Sequence, residues 1–235
     1  MSLLDYKIIN NGDSAISIHF KQQSSELLIR QMITIESLIK QQLKCSILEL
    51  IPSYQSITII FLPLKLSKKL LIKKIENLLS QPIKASQKES KLIKIPVCYE
   101  LEFAPDLQSL AQHCKLTTQQ VIEKHSQANY LVHMLGFLPG FLYLGGLDPL
   151  LACPRKANPE ISVPAGSVAI GANQTGIYPV SSPGGWHIIG QTPLRLFNPQ
   201  EANPVIASPV DRIKFIPISM TDFVAFKKNN QLDPL

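Results

Sequence analysis

Apolar residues in the first third of the chain change period several times. The segment Ala15–Phe20 reads AISIHF and alternates as a half-buried strand does. After Ser25 the spacing opens to that of a helix. Leu27, Leu28, Met32, Ile35, Leu38 and Ile39 recur at helical intervals, Ser25 stands where a cap belongs, and the helix is predicted to run to about residue 43. Residues 47–51 and Ser56–Phe61 read as strands around a turn at Pro52-Ser53-Tyr54, and residues 66–79 as a second helix. The order β-α-β-β-α predicts a small α+β sandwich over residues 1–85, with both helices on one sheet face. Residues 81–91 are polar and basic, carry Pro82, and read as a linker.

The pattern differs beyond residue 92. A strand is predicted at 92–99, and Asp106 is placed to cap a short helix at 107–114. Thr117 and Gln120 have capping-box spacing ahead of a helix at 121–126, and Tyr130–Leu135 is strand-like. Then turn residues dominate: ten of the eleven glycines and nine of the eighteen prolines lie between Gly136 and Pro199. Short apolar runs at 167–170, 186–189, 194–197 and 213–217 stand between these turns. Many short strands with frequent turn signals predict an all-β second domain over residues 92–235, a closed or nearly closed barrel.

Charge separates the same two regions. Residues 1–95 hold 14 Lys and Arg against 7 Asp and Glu, while residues 96–235 hold 9 against 10. The basic excess sits in pairs, Lys68-Lys69 and Lys73-Lys74, on an amphipathic helix without interleaved aromatic residues, which is the pattern of a solvated face and not of a nucleic-acid surface. No run approaches the ~20 apolar residues of a membrane span, and the first residues, with Asp5 among them, lack the layout of a signal peptide. Cys45, Cys98, Cys114 and Cys153 form no Cys-x-x-Cys pair. Neither a zinc site nor a redox dithiol is expected, and reduced thiols in a cytoplasmic protein are.

The familiar catalytic signatures are missing. There is no phosphate-binding G-x-x-x-x-G-K-[ST]; Gly171 to Gly176 has the glycine spacing, but Ile177-Tyr178 follow it. There is no G-x-S-x-G elbow, Ser167 standing instead in Pro-Ala-Gly-Ser-Val, and no H-E-x-x-H.

A family resemblance runs through residues 92–217. It is carried by His125, by the run YLVHMLGFLPGFLYLGGL from Tyr130 to Leu147, by Pro154-Arg155, by VPAGSVAI from Val163 to Ile170, by QTGIYP from Gln174 to Pro179 and by SPGGW from Ser182 to Trp186. Ile189-Gly190, Thr192-Pro193 and Leu196-Phe197 complete it. On these segments the chain resembles the family described as the B subunit of 5-oxoprolinase, kinase inhibitor KipI or allophanate hydrolase subunit 1. The resemblance implies a cyclophilin-like barrel in a cytoplasmic bacterial protein that acts with a KipA-like partner, the C subunit. With a third component, the A subunit, such a pair cleaves 5-oxoproline to glutamate at the expense of ATP. Since this chain has no nucleotide motif, the resemblance leaves nucleotide handling to a partner or to a shared interface. Other members are named as inhibitors of a sporulation histidine kinase, so that a binding module without chemistry is the alternative, as is allophanate chemistry.

Three positions depart from the family pattern. Glu160 follows Pro159 where the family has arginine, Gly171-Ala172 stands for its Ala-Gly, and Val210 occupies a turn glycine position, which suggests a repacked turn.

Candidate residues follow from side-chain chemistry set on this resemblance. His125 is a candidate general acid/base or substrate contact, or else a histidine packed at a helix end. Arg155 has the planar fork that suits a carboxylate or phosphate, and a structural salt bridge is the competing role. Gln174, Thr175 and Tyr178, with Tyr143, Gly166 and Ser167, offer polar groups beside glycine turns for a small amide or lactam substrate; loop self-bonding is the alternative. Gly184, Gly185 and Trp186, the only tryptophan, are expected at a partner interface or in the core. No metal ligand set is expected.

Overall fold

Strand alternation in Ala15–Phe20 (β2) and Ser56–Phe61 (β4) turns Ile16, Ile18, Phe20, Ile57, Ile59 and Phe61 to one side, where all six are buried. Each such side chain contributes roughly 1.5–3 kcal/mol by leaving water. They meet Met32, Ile35 and Ile39 of the helix Glu26–Leu43 (α1) and Leu71, Ile75 and Leu79 of the helix Lys68–Leu79 (α2). Ser25 caps α1 as expected, its hydroxyl accepting the Leu28 N–H at 3.2 Å. The computed structural model describes residues 3–230 and divides into two units, the first ending at Glu89 and the second beginning at Ser90.

With β1 at Tyr6–Asn10 and β3 at Ile47–Pro52, the sheet of the first unit runs β1-β2-β4-β3, all antiparallel. Its edge strand β1, Tyr6–Asn10, was not foreseen. Only Tyr6 and Ile8 pack against the core there, so the apolar period is too weak to read from sequence.

In the second unit the strands Leu92–Cys98 (β5), Tyr130–Leu135 (β6), Leu142–Gly145 (β7), Ser167–Gly171 (β9), Gln174–Ile177 (β10), His187–Gln191 (β12) and Arg212–Ile218 (β13) close a barrel in the order β10-β7-β6-β13-β5-β12-β9. β13 and β5 pair in parallel from Arg212↔Leu92 to Ile218↔Cys98, and the other barrel pairings are antiparallel. The barrel is filled, not hollow: Ile95, Val97, Tyr130, Val132, Leu142 and Phe215 are all fully buried. Two short strands, Glu160–Val163 (β8) and Ser182–Gly184 (β11), form a separate ribbon. The helices Leu107–Cys114 (α3), Thr118–Gln127 (α4) and Met220–Asn230 (α5) complete the unit. The capping box is present, with Thr117 and Gln120 each bonded to the other's backbone.

Two expectations are corrected by this architecture. Residues 194–197 form no strand; Phe197 makes only an isolated bridge to Val205. Asp106 stands at the N-terminus of α3 but makes no capping bond, because its carboxylate is engaged elsewhere. Val210 keeps a left-handed backbone with φ 73°, as Ala172 does with φ 55°, so both stand in the conformation that glycine accepts without strain. Asp211 holds the Val210 turn, its carboxylate accepting the N–H groups of Lys91 and Ser208 and the Ser208 hydroxyl.

Candidate functional site

The alternation of β9 and β10 sorts the predicted residues between two faces. Thr175 and Ile177 point into the barrel opposite Ile170 and Val168, while Gly176 and Ala169 face outward. Thr175 is therefore separated from the outer surface that Gly176 forms, and the expected set of Gln174, Thr175 and Tyr178 does not come together.

On the inner side Thr175 meets His125, which α4 delivers and which is fully buried. His125 Nε2 lies 2.9 Å from Thr175 Oγ1, and Nδ1 lies 2.8 Å from the Tyr99 hydroxyl. Thr175 Oγ1 donates its own proton to the Ala169 carbonyl at 3.0 Å, so it accepts from His125. The imidazole therefore carries its proton on Nε2 and accepts at Nδ1 from Tyr99. Its ring stacks on Phe215 at 4.5 Å, and burial lowers its pKa to about 3. His125 thus stays neutral inside a satisfied chain of hydrogen bonds and lines no open pocket. Ser167 is buried as well, and Gly166 lies in a different groove, with Thr192 and Arg195.

The outer side carries an aromatic pocket of about 260 Å³. Its platform is the Trp186 indole, 5% exposed, which lies against the glycines of β9 and β10. A Cβ on Gly171 would approach the indole to 2.5 Å and one on Gly176 to 2.9 Å, so both positions need glycine for close approach. Phe141 stands edge-on to Trp186, centroids 5.6 Å apart, and to Tyr178 at 5.2 Å. Tyr143 meets Trp186 at 6.0 Å, and Phe137, itself at φ 67°, closes the wall against Phe141 at 5.6 Å. Burial raises the Tyr178 phenol above its ordinary range, against the pull of the Trp186 backbone N–H that it accepts. Gly184 passes directly over Tyr178, where a Cβ would lie 2.4 Å from the hydroxyl.

Arg155 sits at the exposed rim, its Cζ 5.9 Å from the Trp186 ring. Burial raises the Tyr143 phenol, and the Arg155 charge acts in the opposite direction. The adjacent Lys156 is pinned. Its Nζ lies 2.7 Å from Asp106 Oδ2 and 3.1 Å from Glu160 Oε1, and its backbone N–H donates to the Gly185 carbonyl at 2.8 Å. The same Asp106 oxygen accepts the Ile188 N–H at 2.7 Å. Burial works against the Lys156 charge, but the two carboxylates outweigh it and hold the ammonium above its usual range. Glu160 therefore pairs with Lys156 and not with Arg155.

Sequence reading missed Phe137 and Phe141, although their spacing around the Leu138-Pro139-Gly140 turn was a usable signal. It also missed Cys153 and His187, whose Sγ and Nε2 lie 3.4 Å apart. That pair is no activated nucleophile: His187 Nε2 donates to the Pro154 carbonyl at 2.8 Å, and burial pushes the Cys153 thiol up. Among the described residues no cluster of His, Cys, Asp and Glu is arranged to hold a metal ion, and no helix is long and apolar enough to cross a membrane.

Comparison with known proteins decides the lineage. The carboxyltransferase domain family, subdomains C and D, matches residues 6–207. The chain is 38% identical over 235 aligned residues to a Bacillus subtilis (strain 168) protein named as the B subunit of 5-oxoprolinase, covering 96% of this chain and 98% of that one.

The chain belongs to the family of 5-oxoprolinase B subunits, within the carboxyltransferase subdomain C and D family.

A conserved uncharacterized protein from Pyrococcus horikoshii is 41% identical in its crystal structure, with a TM-score of 0.56 over 92% of this chain and 100% of that one. The fold recurs in the Kluyveromyces lactis urea carboxylase, at 19% identity and a TM-score of 0.79, where this chain covers 97% of its own length and 23% of the enzyme.

Proposed function

We propose that the chain is the B subunit of an ATP-dependent 5-oxoprolinase, a non-autonomous part of an enzyme that converts 5-oxoproline, ATP and water to glutamate, ADP and phosphate. Its partners in this reading are the KipA-like C subunit and the A subunit, and its setting is the cytoplasm. The observation that carries the proposal is the near full-length similarity to the Bacillus protein of that name.

The site geometry supports a binding role within such a complex. The pocket offers aromatic faces and a guanidinium, which suit a small ring-shaped acid, and none of the residues lining it is Ser, Cys, His, Asp or Glu. Opening a lactam needs activation, as a phosphorylated lactam oxygen would supply, and the charged species formed needs stabilising donors. This chain would hold and orient substrate while nucleotide and base come from its partners, consistent with the lack of a phosphate-binding loop.

The test is glutamate release from 5-oxoproline and ATP by the reconstituted complex, with and without this chain. Turnover that requires the chain supports the proposal. Absent turnover from an intact complex would sink it and bring forward allophanate chemistry or kinase inhibition.

A further inference from the structure

Two neighbouring cations at the pocket differ in one respect. Lys156 has two carboxylate partners, while Arg155 has no hydrogen-bond or ion-pair partner among the described residues. The chain thus places an unneutralised planar guanidinium at the rim of a pocket walled by Trp186, Phe141 and Tyr178, each at most 5% exposed.

We propose that this pocket is where the chain itself binds a small cyclic carboxylate, with the carboxylate on Arg155 and the ring against Trp186 and Phe141. The assignment rests on the 5-oxoprolinase reading, which makes 5-oxoproline the ligand.

Four features support it. The volume of about 260 Å³ lies below the roughly 300–1,000 Å³ of drug-sized sites, so it suits a compact ring acid and not an extended ligand. The forked donors of arginine match a carboxylate in two parallel bonds, which a lysine ammonium does not reproduce. The indole cannot sink away from a ring laid on it, because the backbones of Gly171 and Gly176 already touch it. The Arg155 backbone is held as well, since the next residue is bonded through its N–H to Gly185 and through its ammonium to Asp106. The ordering cost of binding at the rim is then confined to the Arg155 side chain.

Trp186 is the chain's only tryptophan, so its fluorescence reports on this pocket alone. The full chain is titrated with 5-oxoproline and with 2-pyrrolidinone, the same ring without the carboxylate, and compared with Arg155→Met and Arg155→Lys. The expected result is a saturable emission change with 5-oxoproline and binding at least tenfold weaker for 2-pyrrolidinone. Arg155→Met should bind 5-oxoproline at least tenfold more weakly and lose the discrimination, and Arg155→Lys should fall between. In the reconstituted enzyme, Arg155→Met should raise KM for 5-oxoproline at least tenfold and lower kcat less.

Equal binding of 5-oxoproline by the wild type and Arg155→Met overturns the site, as does a silent titration combined with an unchanged KM. If turnover still requires the chain in either case, the 5-oxoprolinase reading survives and only the pocket assignment falls. Arg155-dependent binding alongside turnover that ignores the chain leaves the pocket standing and removes the enzyme reading.

Discussion

His125 Nε2 donates to Thr175 Oγ1 across 2.9 Å inside the barrel, in a chain of bonds that begins at the Tyr99 hydroxyl and ends at the Ala169 carbonyl. The imidazole has a pKa of about 3 in the fold, against about 6.5 in an unfolded chain. Above pH 6.5 neither state is protonated and this site leaves stability unchanged. Below it the unfolded chain takes up the proton first, so stability falls as pH drops from 6.5 toward 3, by up to about 1.4 kcal/mol per pH unit. Urea denaturation across this range should show a flatter pH dependence for His125→Gln than for the wild type. Parallel curves would mean that another group sets the slope.

Asp106→Asn removes the charge that pairs with Lys156 while keeping an acceptor for the Ile188 N–H. Lys156, whose side chain is 15% exposed, then keeps only Glu160. A loss of about 1–3 kcal/mol is expected from urea denaturation. Trp186 fluorescence should also broaden or shift, since the loop beside it loosens. The double variant Asp106→Asn with Lys156→Met should recover part of the stability by removing the stranded ammonium.

Ala172 and Val210 both occupy left-handed backbone, yet glycine should act differently at the two positions. Ala172 is exposed, so Ala172→Gly gives up little packing and relieves strain, and a gain of about 0.5–1 kcal/mol is expected. Val210 is fully buried; Val210→Gly gains the same net relief but gives up a buried side chain worth about 1.5–3 kcal/mol and leaves a void, so a net loss of about 1–2 kcal/mol and a lower melting point are expected. Thermal unfolding of the two variants side by side measures the contrast. A destabilised Ala172→Gly would count against the strain argument.

Gly176→Ala places a methyl group 2.9 Å from the indole and close to the Leu142 carbonyl and the Phe141 ring. The expected outcome is a loss of about 1–3 kcal/mol and a red-shifted Trp186 emission as the ring moves toward water. Gly185→Ala is the control, because its nearest contact is Pro159 at 3.6 Å, and it should change neither reading.

Local grammar was legible in this sequence where one short segment decides the outcome. Ser25 caps α1, Thr117 and Gln120 form their box, and Tyr130–Leu135 is the strand that its alternation predicts. The density of glycine and proline after Gly136 correctly placed the second unit among barrels of short strands. What could not be read was which side of a strand counts. Thr175 and Gly176 are adjacent in sequence and lie on opposite faces of the barrel wall, so a cluster of polar residues around a glycine turn looked like one site although Thr175 faces the core and Tyr143 and Tyr178 the outer pocket. The pocket gathers Phe141, Tyr178 and Trp186 from separate segments, which only strand register brings together. Asp106 misled for a related reason: its helix-start position was right, but tertiary partners claimed its carboxylate.

The filled interior of the barrel also bears on how such a protein can change. β9 and β10 give one row of side chains to the barrel core and the other to the Trp186 platform, while the rim residues Arg155, Pro159 and Gly185 come from loops outside both strands. The rim can therefore vary without touching either row, which separates selection for folding from selection for recognition. A lineage could exchange one small ligand for another by rebuilding the rim around Arg155 and Glu160 while inheriting its core intact.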